Sequence, residues 1–223
     1  MEFQDKVVLI TGAGRGTGRQ IAETFAAQGA RLAINDISPQ NVDSLVAELR
    51  QRGYHAKAYV DDIAKKVAVQ AIVNQVEEDY GRIDVLINHA SVEPHASLLD
   101  MDEWDWHRAL DVNLTGAFLT MQSVGRVMRD RGGGIIINII SISGDTVALD
   151  RSAYVASLFG LIGLTRQAAR ELFGYGIRVH AVGRGLGRFQ NSGTTVPADL
   201  SRAVLFLCDP AASHLTGNIV NLL

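Results

Sequence analysis

The chain predicts an α/β fold: a doubly wound sheet of seven mainly parallel strands with helices on both faces. Three observations carry this expectation. Short runs rich in β-branched residues alternate with longer amphipathic segments along the whole length. A glycine-rich stretch leads from the first such run into the first amphipathic segment. No low-complexity linker, internal repeat or change of composition divides the 223 residues, so a single domain spanning 1–223 is expected.

Taken in order, "KVVLIT" reads as the first strand, followed by a helix from about Arg15 to Gln28, the strand "RLAIND" and a helix from Pro39 to Gln51. The strand "AKAYV" precedes a helix ending near Tyr80, and "IDVLIN" precedes helices on both sides of Asn113. Then come "GIIINII", a helix after Ala153, "IRVHAV", a short helix from Ala198 to Cys208, and "NIVNLL". Strands separated by helices imply right-handed crossovers, and right-handed crossovers place helices on both faces of a parallel sheet.

Composition narrows the class. Hydrophobic residues make up 47% and charged residues 20%, with a formal net charge of -3, as in a globular protein with a large core. The single cysteine, Cys208, permits no internal disulfide and lies in an apolar run, where a buried reduced thiol is expected. The N-terminus has no basic start or apolar stretch of signal-peptide type, and no run approaches the roughly 18 apolar residues of a membrane span. A cytoplasmic protein without membrane association is the expectation. Arg126, Arg129 and Arg131 fall at the end of a helical pattern, where cations suit the helix dipole, so nucleic-acid binding is not expected.

The first strand runs directly into "TGAGRGTG", Thr11 to Gly18. Glycines at 12, 16 and 18, with Arg15 and Thr17 between them, allow a tight turn and a close approach of backbone to a pyrophosphate facing the next helix's N–H groups. Asp36 ends the second strand about 20 residues on, where a carboxylate can accept both adenosine ribose hydroxyls and would repel a 2′-phosphate. This Rossmann-type pattern implies NAD, with NADP disfavoured; Arg15 is the counter-signal, since an arginine in that loop could grip the extra phosphate.

The spacing T-G-x-x-x-G-x-G resembles that of the short-chain dehydrogenase/reductase family, and later motifs extend the resemblance over nearly the whole chain. The resemblance implies adenine contact by Asp62 and its neighbour Ile63 in "VDDIA", and cofactor contact by Asn88 and Ala90 in "NHAS". That segment stands where the family has N-N-A-G, so His89 and Ser91 are departures. It also implies that Asn113 in "DVNLTG" anchors a water in a proton relay, and that Ser141 and Tyr154, thirteen residues apart, form the catalytic pair.

The chemistry of these residues is coherent in itself. Hydride transfer to a carbonyl carbon builds negative charge on oxygen, which needs a hydrogen-bond donor and a proton source, roles open to Ser141 and Tyr154. In the family a lysine one turn after the tyrosine lowers the phenol pKa and binds the nicotinamide ribose; this chain has Leu158. An unaided phenol titrates near 10, so alcohol oxidation should suffer more than carbonyl reduction. Leu158 also opens an apolar pattern with Leu161, Ile162 and Leu164 that suits a packed helix.

Further departures follow. "VGRGLGRF" places Arg184 and Arg188 where the family has a Pro-Gly pair and a threonine, and only a short linker near 186–198 stands where substrate-covering helices are usual. The chain ends at "TGNIVNLL" without the family's Asp-Gly-Gly tail, which weakens the expectation of a tetramer. A homo-oligomer, dimer or tetramer, remains expected through faces carrying Phe118, Met121, Phe159 and Leu172. His89 and His95, with Glu93 between them, lack metal-site spacing; His95 and Glu93 sit instead where they could touch a substrate or be solvated loop residues. Two functions are compatible with the motifs: an NAD-dependent oxidoreductase acting on a small carbonyl or alcohol, slow or atypical, and a nucleotide-binding protein without turnover.

Overall fold

The computed structural model describes residues 3–140, 149–184 and 197–222. Its seven strands are β1 (Val7–Ile10), β2 (Arg31–Asp36), β3 (Ala56–Val60), β4 (Val85–Asn88), β5 (Gly134–Ile140), β6 (Ile177–Arg184) and β7 (Ile219–Leu222). They form one sheet in the order β3-β2-β1-β4-β5-β6-β7, with every pairing parallel. The helices are α1 (Gly16–Ala27), α2 (Pro39–Gln51), α3 (Lys66–Tyr80), α4 (Glu103–Leu110), α5 (Ala117–Asp130), α6 (Ser152–Leu172) and α7 (Pro197–Cys208).

The central strands are apolar on both sides because helices cover both. In β1, Val7 and Leu9 enter a cluster with residues of α3, α5 and α6, while Val8 and Ile10 enter a second cluster with residues of α1, α2 and α7. This is the period-two alternation of a strand expressed as two cores.

Local signals explain the helix ends. Ser38 accepts from the Asn41 amide ahead of Pro39 at the start of α2, and α3 stops where Gly81 adopts a left-handed conformation, φ 74°. The first helix begins at Gly16, one residue later than expected, because Arg15 has an extended backbone at the N-cap. The interruption expected at Asn113 is a π-helical turn, Asp111–Gly116, linking α4 to α5.

Strand order reverses between β1 and β4. Connections from neighbouring strands diverge at such a point and leave a crevice beyond their carboxyl ends. That crevice receives the glycine-rich loop from one side and the segment after Asn88 from the other.

Candidate functional site

The glycine loop is shaped by close approaches. Gly12 has φ 64°, and a Cβ there would lie 2.5 Å from Ala90 Cα; a Cβ on Gly18 would meet both Gly12 O and His89 Nδ1 at 2.6 Å. Thr11 Oγ1 accepts from the His89 and Ala90 amides, at 3.1 and 3.2 Å, stitching the loop to the end of β4. The amides of Gly16, Thr17 and Gly18 open α1, where a helix has no internal acceptors for its first N–H groups.

Asp36 is buried at the end of β2. Its Oδ2 accepts from the Gly14 amide at 2.9 Å and its Oδ1 from the Ser38 amide at 3.0 Å. Gly14, absent from the expected glycine set, is required here because a Cβ would stand 2.8 Å from that carboxylate. Asn35 donates to the carbonyls of Tyr59 and Asp61, holding the end of β3 and the residues after it beside β2.

A cleft of about 260 Å³ opens over these residues. Gly12, Arg15, Asp36, Asp62, Ile63 and Ala90 all line it, as do Arg108 from α4 and Tyr154 from α6. Asp62 accepts from the Ala64 amide at 3.1 Å and from Arg108 Nη1 at 3.2 Å. Ile63 is buried, and it packs so closely on the π-helical turn that a Cβ on Gly116 would lie 2.9 Å from its Cδ1.

Asn88 differs from its neighbours. Its side chain does not line the cleft but is spent in the core, where Nδ2 donates to Asn138 Oδ1 at 2.9 Å and Oδ1 accepts from Thr120 at 2.7 Å. Asn138 donates in turn to Thr165. A buried amide must satisfy its donors and acceptors, and here strand β5 and helix α5 supply the partners. His89 does line the cleft, and its Nδ1 lies 3.0 Å from Gly12 O. Burial pushes the His89 pKa down, opposed by that carbonyl and by the charge of Asp36, so the ring is neutral at pH 7.

At the other end Tyr154 is 7% exposed and Leu158 2% exposed. Leu158 belongs to the core cluster with Leu161, so its side chain faces the packed interior, as the apolar pattern of the helix suggests. Asn113 is fastened to the loop after β4: its Oδ1 accepts from the Val92 amide at 2.8 Å and its Nδ2 donates to the Val92 carbonyl at 2.9 Å. Nδ2 also donates to Ser157 Oγ at 3.0 Å, and Ser157 donates to the Tyr154 carbonyl at 2.7 Å. Ser157, which motif spacing did not single out, thereby joins Asn113 to the turn of helix carrying Tyr154.

Ser141 and Arg188 lie outside the described residues, as does most of the short linker near 186–198. The backbone of Arg184 pairs with Leu222 in the sheet. Glu93 forms an ion pair with Arg151, the Ala96 amide donates to the Asp150 carbonyl, and His95 is exposed. Glu93 is thus engaged in tying the loop after β4 to the entrance of α6. Among the described residues no group of three or more His, Cys, Asp or Glu side chains is arranged to hold a metal ion, and no helix is long and apolar enough to cross a membrane.

Comparison with known proteins adds independent information. Residues 6–194 match the family described as short chain dehydrogenase. The chain is 34% identical to an uncharacterized oxidoreductase of Thermotoga maritima, over 100% of this chain and 97% of the relative. It is 36% identical to the D-threitol dehydrogenase of Mycolicibacterium smegmatis, over 95% of this chain and 89% of that one. A 7α-hydroxysteroid dehydrogenase solved with NADH and 7-oxo glycochenodeoxycholic acid superposes with a TM-score of 0.90 at 30% identity, covering 99% of this chain and 94% of that one.

Proposed function

Since the chain belongs to the short-chain dehydrogenase/reductase family of NAD(P)-dependent oxidoreductases, we propose that it is an NAD(H)-dependent enzyme interconverting a small carbonyl compound and its alcohol, with slow or atypical turnover. The observation that carries the choice of NAD is the Asp36 carboxylate, fixed on the Gly14 amide at the edge of the cleft. A carboxylate so placed accepts ribose hydroxyls and repels a 2′-phosphate.

The residues present fit a dinucleotide. Gly12, Gly16 and Gly18 with the first amides of α1 take the pyrophosphate, with Arg15 and Thr17 beside it, and Asp36 takes the adenosine ribose. Asp62, Ile63 and Ala90 line the way to the adenine and along the cleft. Asn88 serves by locking the end of β4, which presents His89 and Ala90 to the loop. When bound, the nicotinamide supplies or accepts the hydride.

Tyr154 then holds the proton exchanged with the substrate oxygen, and Ser141 donates a hydrogen bond to that oxygen. Asn113 sets the position of Tyr154 through Ser157. Reduction needs a protonated phenol; oxidation needs a phenolate, which a leucine at 158 does nothing to stabilise.

In this reading the chain works as one dinucleotide-binding domain with a shortened substrate-covering region near 186–198. A homo-oligomer forms through the apolar face of α5 and α6, where Phe118, Met121, Leu164 and Leu172 line a hollow of about 420 Å³. The test of function is turnover of a panel of ketones and alcohols with NAD(H) and NADP(H), with Tyr154→Phe as control. Activity abolished by that substitution is expected; no turnover of any substrate would favour the second reading, a nucleotide-binding protein without catalysis, for which the buried Leu158 is the supporting observation.

A further inference from the structure

We propose that Arg108 is a positioning residue for base specificity: it holds Asp62 as a fixed acceptor at the adenine end of the cleft, so that a 6-amino purine is accepted and a 6-oxo purine refused. The proposal rests on the dinucleotide reading of the cleft given above.

Arg108 stands in the last turn of α4, where a cation needs no further explanation than the helix dipole. Its side chain nevertheless reaches a partner 46 residues away in sequence, with Nη1 placed 3.2 Å from Asp62 Oδ2. Both residues line the cleft, and both side chains are largely withdrawn from solvent, at 29% and 15% exposure.

Asp62 has reason to need a counter-charge. Asp36 and Asp61 line the same cleft, and an unpaired third carboxylate there would be repelled by both. The pairing also fixes orientation. One oxygen of Asp62 takes the Ala64 amide and the other takes Arg108. A carboxylate oxygen can accept more than one hydrogen bond, so each keeps capacity for a ligand while the carboxylate plane is held.

The loop bearing Asp62 cannot easily drift, because the next residue, Ile63, is buried against Gly116 of the π-helical turn that follows α4. The same helical segment therefore sets the loop through Ile63 and the carboxylate through Arg108.

Discrimination follows from donor and acceptor chemistry. Adenine presents an exocyclic amine, which donates to a carboxylate; hypoxanthine presents an oxygen at that position, which a carboxylate repels. A site built around one hydrogen-bonding partner rejects the analogue that cannot pair. If Arg108 is removed, Asp62 loses its orientation and the penalty against the oxo base relaxes. If Asp62 is removed instead, the freed guanidinium becomes a donor suited to the oxo base.

The experiment measures dissociation constants of NAD and of nicotinamide hypoxanthine dinucleotide by calorimetry, with melting curves to verify folding. Wild type is expected to prefer NAD by roughly tenfold or more, the scale of a hydrogen bond to a charged group. Arg108→Ala should bring the two constants within about threefold, Arg108→Lys should restore part of the preference, and Asp62→Ala should abolish or invert it. General destabilisation would weaken both ligands together and leave their ratio alone. Wild-type selectivity retained in folded Arg108→Ala overturns the proposal, and should that variant not fold, the same selectivity in Arg108→Gln overturns it. Equal affinities in wild type overturn it while leaving the dinucleotide reading intact, whereas failure of wild type to bind either ligand overturns both.

Discussion

Gly14 donates its amide hydrogen to Asp36 Oδ2 at 2.9 Å, which fixes the carboxylate against the loop that would carry the pyrophosphate. A fixed charge cannot turn away from a phosphate on the neighbouring ribose. Two unit charges about 4 Å apart repel by roughly 4 kcal/mol near a protein surface, and Arg15, exposed in the same loop, offsets part of that. NAD should therefore bind at least about tenfold more tightly than NADP, and Asp36→Ala should narrow the gap mainly by improving NADP. Calorimetric titration of both cofactors checks this; equal or reversed wild-type affinities would refute it.

Leu158→Lys tests the missing cation. A cation beside Tyr154 favours its phenolate, so alcohol oxidation near neutral pH should gain more than carbonyl reduction. The position is buried in a hydrophobic cluster, and inserting an ammonium there should lower stability by about 2 to 4 kcal/mol. Rates should accordingly be compared in protein shown to be folded, alone and combined with Arg184→Pro. Absence of any gain in both variants would mean that residue 158 is not what limits turnover.

Asn113→Ala removes the side chain that satisfies both the amide and the carbonyl of Val92 and donates to Ser157. A loss of roughly 2 to 4 kcal/mol in stability is expected from the groups left without partners. The turnover number should fall while NAD affinity changes little, because the affected contacts surround Tyr154 rather than the glycine loop. Measured NAD affinity falling in step with turnover would contradict this assignment.

His180 predicts an acid-side loss of stability. It is fully buried on β6, and burial together with the charge of Arg178, opposed by the Leu215 backbone, pushes its pKa from 6.5 down to about 4. The unfolded chain therefore takes up a proton before the folded one does. The contribution of the neutral ring is complete above about pH 6.5, declines as pH falls, and is lost by about pH 4, amounting to about 3 kcal/mol. Urea denaturation at pH 7, 5.5 and 4.5 should follow this slope, and His180→Phe should flatten it. An unchanged slope in the variant would assign the effect to other groups.

The fold was legible because strands and helices announce themselves within a few residues. The alternation of "KVVLIT" with the amphipathic stretch after Gly16 is local information, and so is the distance from the glycine loop to Asp36. What escaped depends on partners remote in the chain. Nothing near Asn88 announces that Asn138, fifty residues on, consumes its amide, and nothing near Arg108 points to Asp62. Gly14 escaped for the same reason, since its need for a missing side chain is set by a carboxylate on another strand.

The π-helical turn at Asp111–Gly116 has a consequence for how this chain could change over time. Such a turn commonly accommodates one surplus residue within an otherwise regular helix, so that the segments before and after keep their angular phase. The surplus residue is what lets Asn113 face the Val92 backbone while Ala109 and Ala117 stay buried on either side. Shortening the segment by one residue would restore ordinary helical pitch and leave the flanking packing surfaces aligned. One small deletion would thus remove the placement of the asparagine without disturbing the scaffold, so the turn answers to a constraint separate from the one that shapes the sheet.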